Sequence, residues 1–201
     1  MAGTMREPRI GLFFEVCPLP GHADRYFELA AALRPELDKN PGLVFIDRYK
    51  SIDRPNVVLS HSLWDSEEAL IAWREHTQHR AIQRAGRDQH FRDYRLRIGR
   101  LVASAGEAAP ARLVCATYFD AAPGQGNAGE LFRSVYRDGK FLLLSEAPSG
   151  DDAHGAETRI FAVMRDYTMY DREEAPQDYP PIEDGRMAPL WARPARPRRV
   201  D

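Results

Sequence analysis

The sequence predicts an α+β chain whose first hundred residues run β-α-β-β-α-β. Three observations carry this: strand-like runs bounded by turn residues, two stretches with apolar residues at three- and four-residue steps, and a hairpin between them. Arg9-Ile10-Gly11-Leu12-Phe13-Phe14-Glu15-Val16 is the first strand, rich in aromatic and branched residues and closed by Pro18-Leu19-Pro20-Gly21. From Ala23 to Leu37, the residues Tyr26, Phe27, Ala30, Ala31, Leu33 and Leu37 fall on one helical face, and Asn40-Pro41-Gly42 ends the helix. Leu43 to Tyr49 and Asn56 to Trp64, joined through Ser51-Ile52-Asp53-Arg54-Pro55, read as an antiparallel hairpin. Ser66 is the expected N-cap of a second helix, with Glu67 and Glu68 in its first turn where the helix dipole favours negative charge. That helix is expected to run through His79 and Ile82 towards Phe91, and Tyr94 to Val102 alternates as the closing strand.

Gly106-Glu107-Ala108-Ala109-Pro110 is small and flexible, which sets a boundary between a first unit (1–104) and a second (111–172). In the second, Arg112 to Phe119 reads as a strand, Asn127 to Tyr136 as a short helix, Phe141 to Ser145 as a strand and Thr158 to Tyr170 as a long strand. This βαββ order repeats the first unit and then stops. Residues 173–201, with prolines at 176, 180, 181, 189, 194 and 197, are expected to be an extended tail rather than core.

Composition narrows the function classes. Hydrophobic residues make up 43% and charged residues 29%, with 28 Lys+Arg against 30 Asp+Glu, so neither disorder nor a nucleic-acid partner is expected. Cys17 and Cys115 lie in separate strand segments and belong to no C-x-x-C pair, which reads as two reduced core thiols. No apolar run reaches the ~18 residues of a membrane span and Met1 to Arg9 has no apolar middle, so a cytoplasmic protein without membrane contact is expected.

Several phrases in the first unit carry a resemblance. Pro20-Gly21 opens helix one, Asn40-Pro41-Gly42 opens the hairpin, Leu63-Trp64-Asp65-Ser66-Glu67-Glu68-Ala69 leads to Trp73, and His79-Arg80-Ala81-Ile82-Gln83-Arg84-Ala85-Gly86-Arg87 closes helix two. Over residues 9–102 this resembles the antibiotic biosynthesis monooxygenase family. The resemblance implies a ferredoxin-like unit that pairs into a dimeric α/β barrel, hence a homodimer, with a pocket between sheet and helices. It also implies oxidation of a small aromatic or quinone-type substrate by O2, with no flavin or metal. Such chemistry needs aromatic walls and a few polar donors that hold an oxyanion away from water. Trp64 lies where the family places a pocket tryptophan, Ser60 and His61 lie near its polar donor, which is asparagine in aromatic-oxidising members, and Arg84 stands as its pocket arginine. Phe14 and Trp73 complete the expected substrate-binding set.

Histidines supply the expected base, since their ordinary pKa lies nearest neutrality, and His61 and His79 are the candidates. The alternative is a haem protein with His79 as axial ligand. In the haem-degrading relatives the ligand histidine follows the second tryptophan by ten residues, and here that position is Gln83; Phe14 stands where they carry asparagine. A third reading is a non-catalytic pocket or scaffold protein. His76 and His79 have an H-x-x-H spacing, but no nearby carboxylate or cysteine completes a zinc set. Gly124-Gln125-Gly126-Asn127-Ala128-Gly129 has the form of a dinucleotide fingerprint, yet Asp120-Ala121-Ala122-Pro123 separates it from the preceding strand, so a loop is expected. If the second unit is a degenerate repeat, one chain can close a pseudo-dimeric barrel by itself; otherwise two first units must meet across a two-fold axis.

Overall fold

The structure is a computed structural model that describes residues 7–108, 112–124, 128–147, 157–177, 179–180, 182 and 188–191. Its elements are β1 (Ile10–Pro18), α1 (Ala23–Leu37), β2 (Leu43–Ser51), β3 (Val58–Trp64), α2 (Glu67–Glu75), α3 (Thr77–Ala85), β4 (Phe91–Val102), β5 (Leu113–Phe119), β6 (Glu130–Ser134), β7 (Phe141–Ser145) and β8 (Glu157–Thr168). The ferredoxin-like βαββαβ order of the first unit is present. Its second helix is not continuous: His76 takes extended backbone (ψ 128°) between α2 and α3, and a turn of π-helix over Gly86–His90 leads into β4. Ser66 caps α2 as expected, its hydroxyl accepting from the Ala69 N–H at 3.2 Å.

The strands close one barrel in the order β1-β3-β2-β6-β7-β5-β8-β4. The four strands of the first unit leave β2 and β4 as edges, which carry unpaired backbone groups. The second unit supplies both partners: β6 pairs with β2 from Tyr49↔Ser134 to Ser51↔Phe132, and β8 pairs with β4 from Arg95↔Thr168 to Val102↔Ile160. The barrel therefore closes within a single chain, not between two copies. The short helix expected over Asn127–Tyr136 is overturned by the same pairing. Glu130–Ser134 is a strand bonded on both sides, to β2 and β7, and Phe132 points into the barrel. Asn127 itself lies outside the described residues.

Strand alternation sorts side chains between two cores. Phe13, Tyr49, Leu59, Leu63, Val114, Phe132, Leu142, Leu144 and Phe161 fill the barrel interior. Gly11 and Gly99 are cross-strand partners on β1 and β4 and make the seat for Phe161 of β8. A Cβ on Gly11 would stand 2.6 Å from that ring, and one on Gly99 2.7 Å from the Phe161 Cβ. At one end of the interior, buried Glu15 accepts from Arg97 at 2.6 Å and from Arg54 at 2.8 Å, and Arg54 also binds Glu130 of β6. Burial works to raise the Glu15 pKa, but the guanidiniums of Arg97, Arg54 and Arg95 outweigh it and hold the carboxyl below its ordinary value.

The expectation of a tail outside the core is corrected at Trp191. Its side chain is buried within the barrel-interior cluster, stacks under Arg54 and points its indole N–H at Glu15. Asp93 holds this segment through the backbone N–H of Leu190 at 2.7 Å. Cys17 and Cys115 are free, buried thiols as expected. Among the described residues no helix is long and apolar enough to cross a membrane.

Candidate active site

The second core lies outside the barrel, where α1, α2 and α3 cover the β2-β3-β1-β4-β8 face. It is incompletely filled and leaves a cavity of about 180 Å³. Two rows of cross-strand partners form its floor. One runs Arg48, Ser60, Phe14, Leu96, Tyr167 across the five strands, and the next runs Ile46, Ser62, Leu12, Ile98, Arg165. The centre of the floor is apolar and each row carries an arginine at one end. Ala30, Leu33, Leu70, Trp73 and Ile82 form the roof. Gln177 and Tyr179, from the segment after β8, reach the same space.

Of the residues expected at the site, Phe14, Ser60, Trp64, Trp73 and His79 line this cavity together. Trp64 donates its indole N–H to Ser62 at 2.9 Å. The Trp73 ring stacks on His79 with centroids 4.4 Å apart and on His76 at 5.5 Å. The His79 Nδ1–H donates to the Trp73 carbonyl at 2.9 Å, which leaves Nε2 as the acceptor, facing the Gln83 amide at 3.4 Å. Burial pushes the His79 pKa down to about 4, against the pull of that carbonyl, so the ring is neutral at physiological pH.

Two expected residues are elsewhere. His61 alternates with Ser60 and Ser62, so its side chain enters the barrel and not the cavity. There it is fully buried, stacks on Phe13 at 4.5 Å, bonds the Leu12 carbonyl through Nδ1 at 3.0 Å and the Tyr118 hydroxyl through Nε2 at 2.6 Å. Burial lowers its pKa to about 4 as well and raises that of Tyr118. Arg84 is exposed and does not line the cavity. On α3 the 3.6-residue period puts His79, Ile82 and Gln83 inward and turns Arg84 to solvent.

Arg87, three residues on, is buried instead. The π turn after α3 delivers it to the cavity wall, where it donates to the Tyr94 hydroxyl at 3.0 Å and to the carbonyls of Met169 at 3.1 Å and Pro180 at 2.6 Å. Sequence reasoning also missed Arg48, Tyr26, Arg165, Tyr167 and Arg172. Arg48 was legible, since it shares strand phase with Ile46; the β8 residues were not, because their place depends on a long-range strand pairing. Among the described residues no group of three His, Cys, Asp or Glu side chains gathers to hold a metal ion.

Fold and cavity together define a ferredoxin-like barrel protein with a cavity between sheet and helices. The antibiotic biosynthesis monooxygenase family model matches residues 10–85. Jasmonate monooxygenase ABM of Pyricularia oryzae is 33% identical over 210 residues, an alignment that spans 85% of this chain and 98% of that protein. The chain belongs to the antibiotic biosynthesis monooxygenase family, and its role is monooxygenase-like. The uncharacterized protein YqjZ of Bacillus subtilis is 29% identical over 79 residues, 39% of this chain and 61% of that one. Among solved structures, a putative monooxygenase from Fusobacterium nucleatum matches 81% of this chain and 95% of its own with a TM-score of 0.42 and 9% identity.

Proposed function

We propose that this chain oxidises a compact aromatic or quinone-type molecule with molecular oxygen, without flavin or metal. The observation that carries the reading is the cavity itself: aromatic walls, an apolar floor, a neutral imidazole at His79 and a buried guanidinium at Arg87. Its volume of about 180 Å³ compares with the ~150 Å³ that houses one benzene ring. One ring with a short chain is therefore preferred over several fused rings. The Pyricularia relative is named for jasmonate, itself a one-ring compound with an alkyl chain and a carboxylate.

The chemistry balances without an outside reductant. His79 Nε2 accepts a proton from an acidic ring C–H or O–H, and the resulting anion gives an electron to O2. Recombination at a ring carbon that bears hydrogen forms a C–O–O bond, His79 returns its proton to give the hydroperoxide, and loss of water leaves a carbonyl. A base with a pKa near 4 takes such a proton uphill, so the anion must be stabilised where it forms, and Arg87 with Tyr94 supplies that charge. Haem does not fit this site. A cavity barely larger than one benzene ring has no room for a macrocycle.

The test is oxygen uptake with monocyclic hydroquinones, with ¹⁸O2 to trace the oxygen into product. Trp64→Ala and His79→Gln are expected to lose turnover by tenfold or more with the fold intact by circular dichroism. Unchanged turnover in both would move the chemistry away from this cavity, and absence of turnover in the wild type would favour a scaffold role. Because the barrel closes within one chain, we take the single chain as the working unit. Light scattering at micromolar concentration should then read a monomer of 22.8 kDa, and a stable dimer would contradict this.

A further inference from the structure

Arg48 is a buried cation that nothing so far described uses. Its relative exposure is 8%, it lines the cavity, and it forms no ion pair among the described residues. Its Nε is buried without a hydrogen-bond partner. The other floor arginine is neutralised, since Arg165 pairs with Glu67 at 2.6 Å. A buried guanidinium with no carboxylate beside it is costly, and an anionic ligand would supply the missing counter-charge.

Its neighbours are built to share an anion. Tyr26 of α1 lies over it with a buried phenol that interacts with both Arg48 and Ser60, and Ser60 is its cross-strand partner on β3. Guanidinium, phenol and hydroxyl together offer donors from three elements to one oxyanion. This group stands at the β2 side of the floor. Arg87 stands at the β4 side, bonded to Tyr94, and three strand spacings separate the two, roughly 14 Å.

We infer that Arg48, Tyr26 and Ser60 form a carboxylate-binding subsite that anchors an acidic substrate by the end remote from the reacting ring. The inference rests on the cavity being the substrate site. It narrows the substrate class from aromatic or quinone-type molecules in general to those carrying a carboxylate on a short arm. The bidentate fork of Arg48 would then set substrate register, and the ring would lie between Trp64, Trp73 and the Arg87 end.

The experiment is calorimetric titration of the whole chain with 4-phenylbutanoate and with its neutral isostere 4-phenylbutanamide. The wild type is expected to bind the acid at least tenfold more tightly, and Arg48→Gln to bind the two within twofold of each other. Arg48→Lys keeps the charge without the fork and should show an intermediate preference, which decides the matter should the glutamine variant fold poorly. Melting supplies a second readout: Arg48→Gln should melt no lower than the wild type without ligand, whereas a merely structural arginine would leave a destabilised protein. Equal binding of acid and amide by the wild type, or a tenfold preference surviving in Arg48→Gln, overturns the subsite and leaves the cavity reading standing. Binding of neither probe, with turnover unaffected by Trp64→Ala, overturns both.

Discussion

The two halves of the barrel contribute equal numbers of strands and opposite kinds of packing. The first half carries α1, α2 and α3 on its outer face and leaves a cavity beneath them, whereas the second half connects its strands without a described α-helix and points Phe132, Leu142, Leu144 and Phe161 into a filled interior. Helix-covered sheet makes room for a ligand between two layers, while sheet closed on itself is filled by its own side chains. The labour is thus unequal: the first half supplies the helices and most of the cavity lining, while the second closes the edges that would otherwise need another chain and adds Arg165, Tyr167, Arg172, Gln177 and Tyr179 to the cavity wall.

The difference is broken most directly at the Phe161 seat. Phe161→Ala removes a ring held between Gly11 and Gly99 of the other half, in a region with no space to collapse. The expected cost is about 3–5 kcal/mol, read as a lower urea midpoint at unchanged slope. Leu33→Ala, which only enlarges the existing cavity, should fall near the lower end of the ~2–5 kcal/mol range for such truncations. Equal losses would mean that the cavity wall is as closely packed as the barrel.

Acid tests both cores at once. His61 in the barrel and His79 in the cavity each have a pKa lowered to about 4 from 6.5. The unfolded chain therefore binds more protons between those values, and stability present above pH 6.5 is lost as pH falls towards 4. Each histidine should withdraw about 2 kcal/mol between pH 7 and pH 5. His61→Gln, which keeps a partner for Tyr118 but does not titrate, should flatten that decline by its share in urea titrations at the two pH values. A decline of unchanged steepness would show that His61 is not buried neutral.

How much of this could be read from the sequence follows the same division. In the first half the βαββαβ order and the Ser66 cap came from local pattern, because their environment is set by elements adjacent in the chain, while the pocket places of Trp64 and Trp73 came from the family resemblance and His79 from the chemistry of its imidazole. His61 was misplaced although the period of two already separates it from Trp64, and Arg84 although a helical face shared by His79 and Gln83 excludes it. In the second half, β6 was misread because five residues pairing on both sides owe their shape to distant partners. Trp191 carries no local signal at all for its burial beside Glu15.

The Arg84 correction gives the next comparison. Arg87→Ala removes a buried charge bonded to Tyr94 and to two carbonyls, and turnover should fall by tenfold or more in an oxygen-uptake assay. Arg84→Ala, on the solvent face of the same helical segment, should leave it within twofold. The reverse result would return the catalytic arginine to the position the family pattern suggested and place Arg87 among structural residues.

The smallest effect is also the most local. Ser66→Ala deletes the hydroxyl that accepts from Ala69 N–H, at a cost of about 1 kcal/mol. Helix α2 is nine residues long, so its stability comes from Leu70 and Trp73 packing over the cavity rather than from its own hydrogen bonds. Loss of the cap should therefore raise amide exchange across Ala69–Trp73 while the β5–β8 amides exchange as before. Because Trp73 carries His79 through its ring and its carbonyl, the same variant should weaken ligand binding in the cavity by a fewfold. Exchange that rises equally in both halves would mean that helices and barrel open as one unit, and that the division between a site-bearing half and a closing half is structural only.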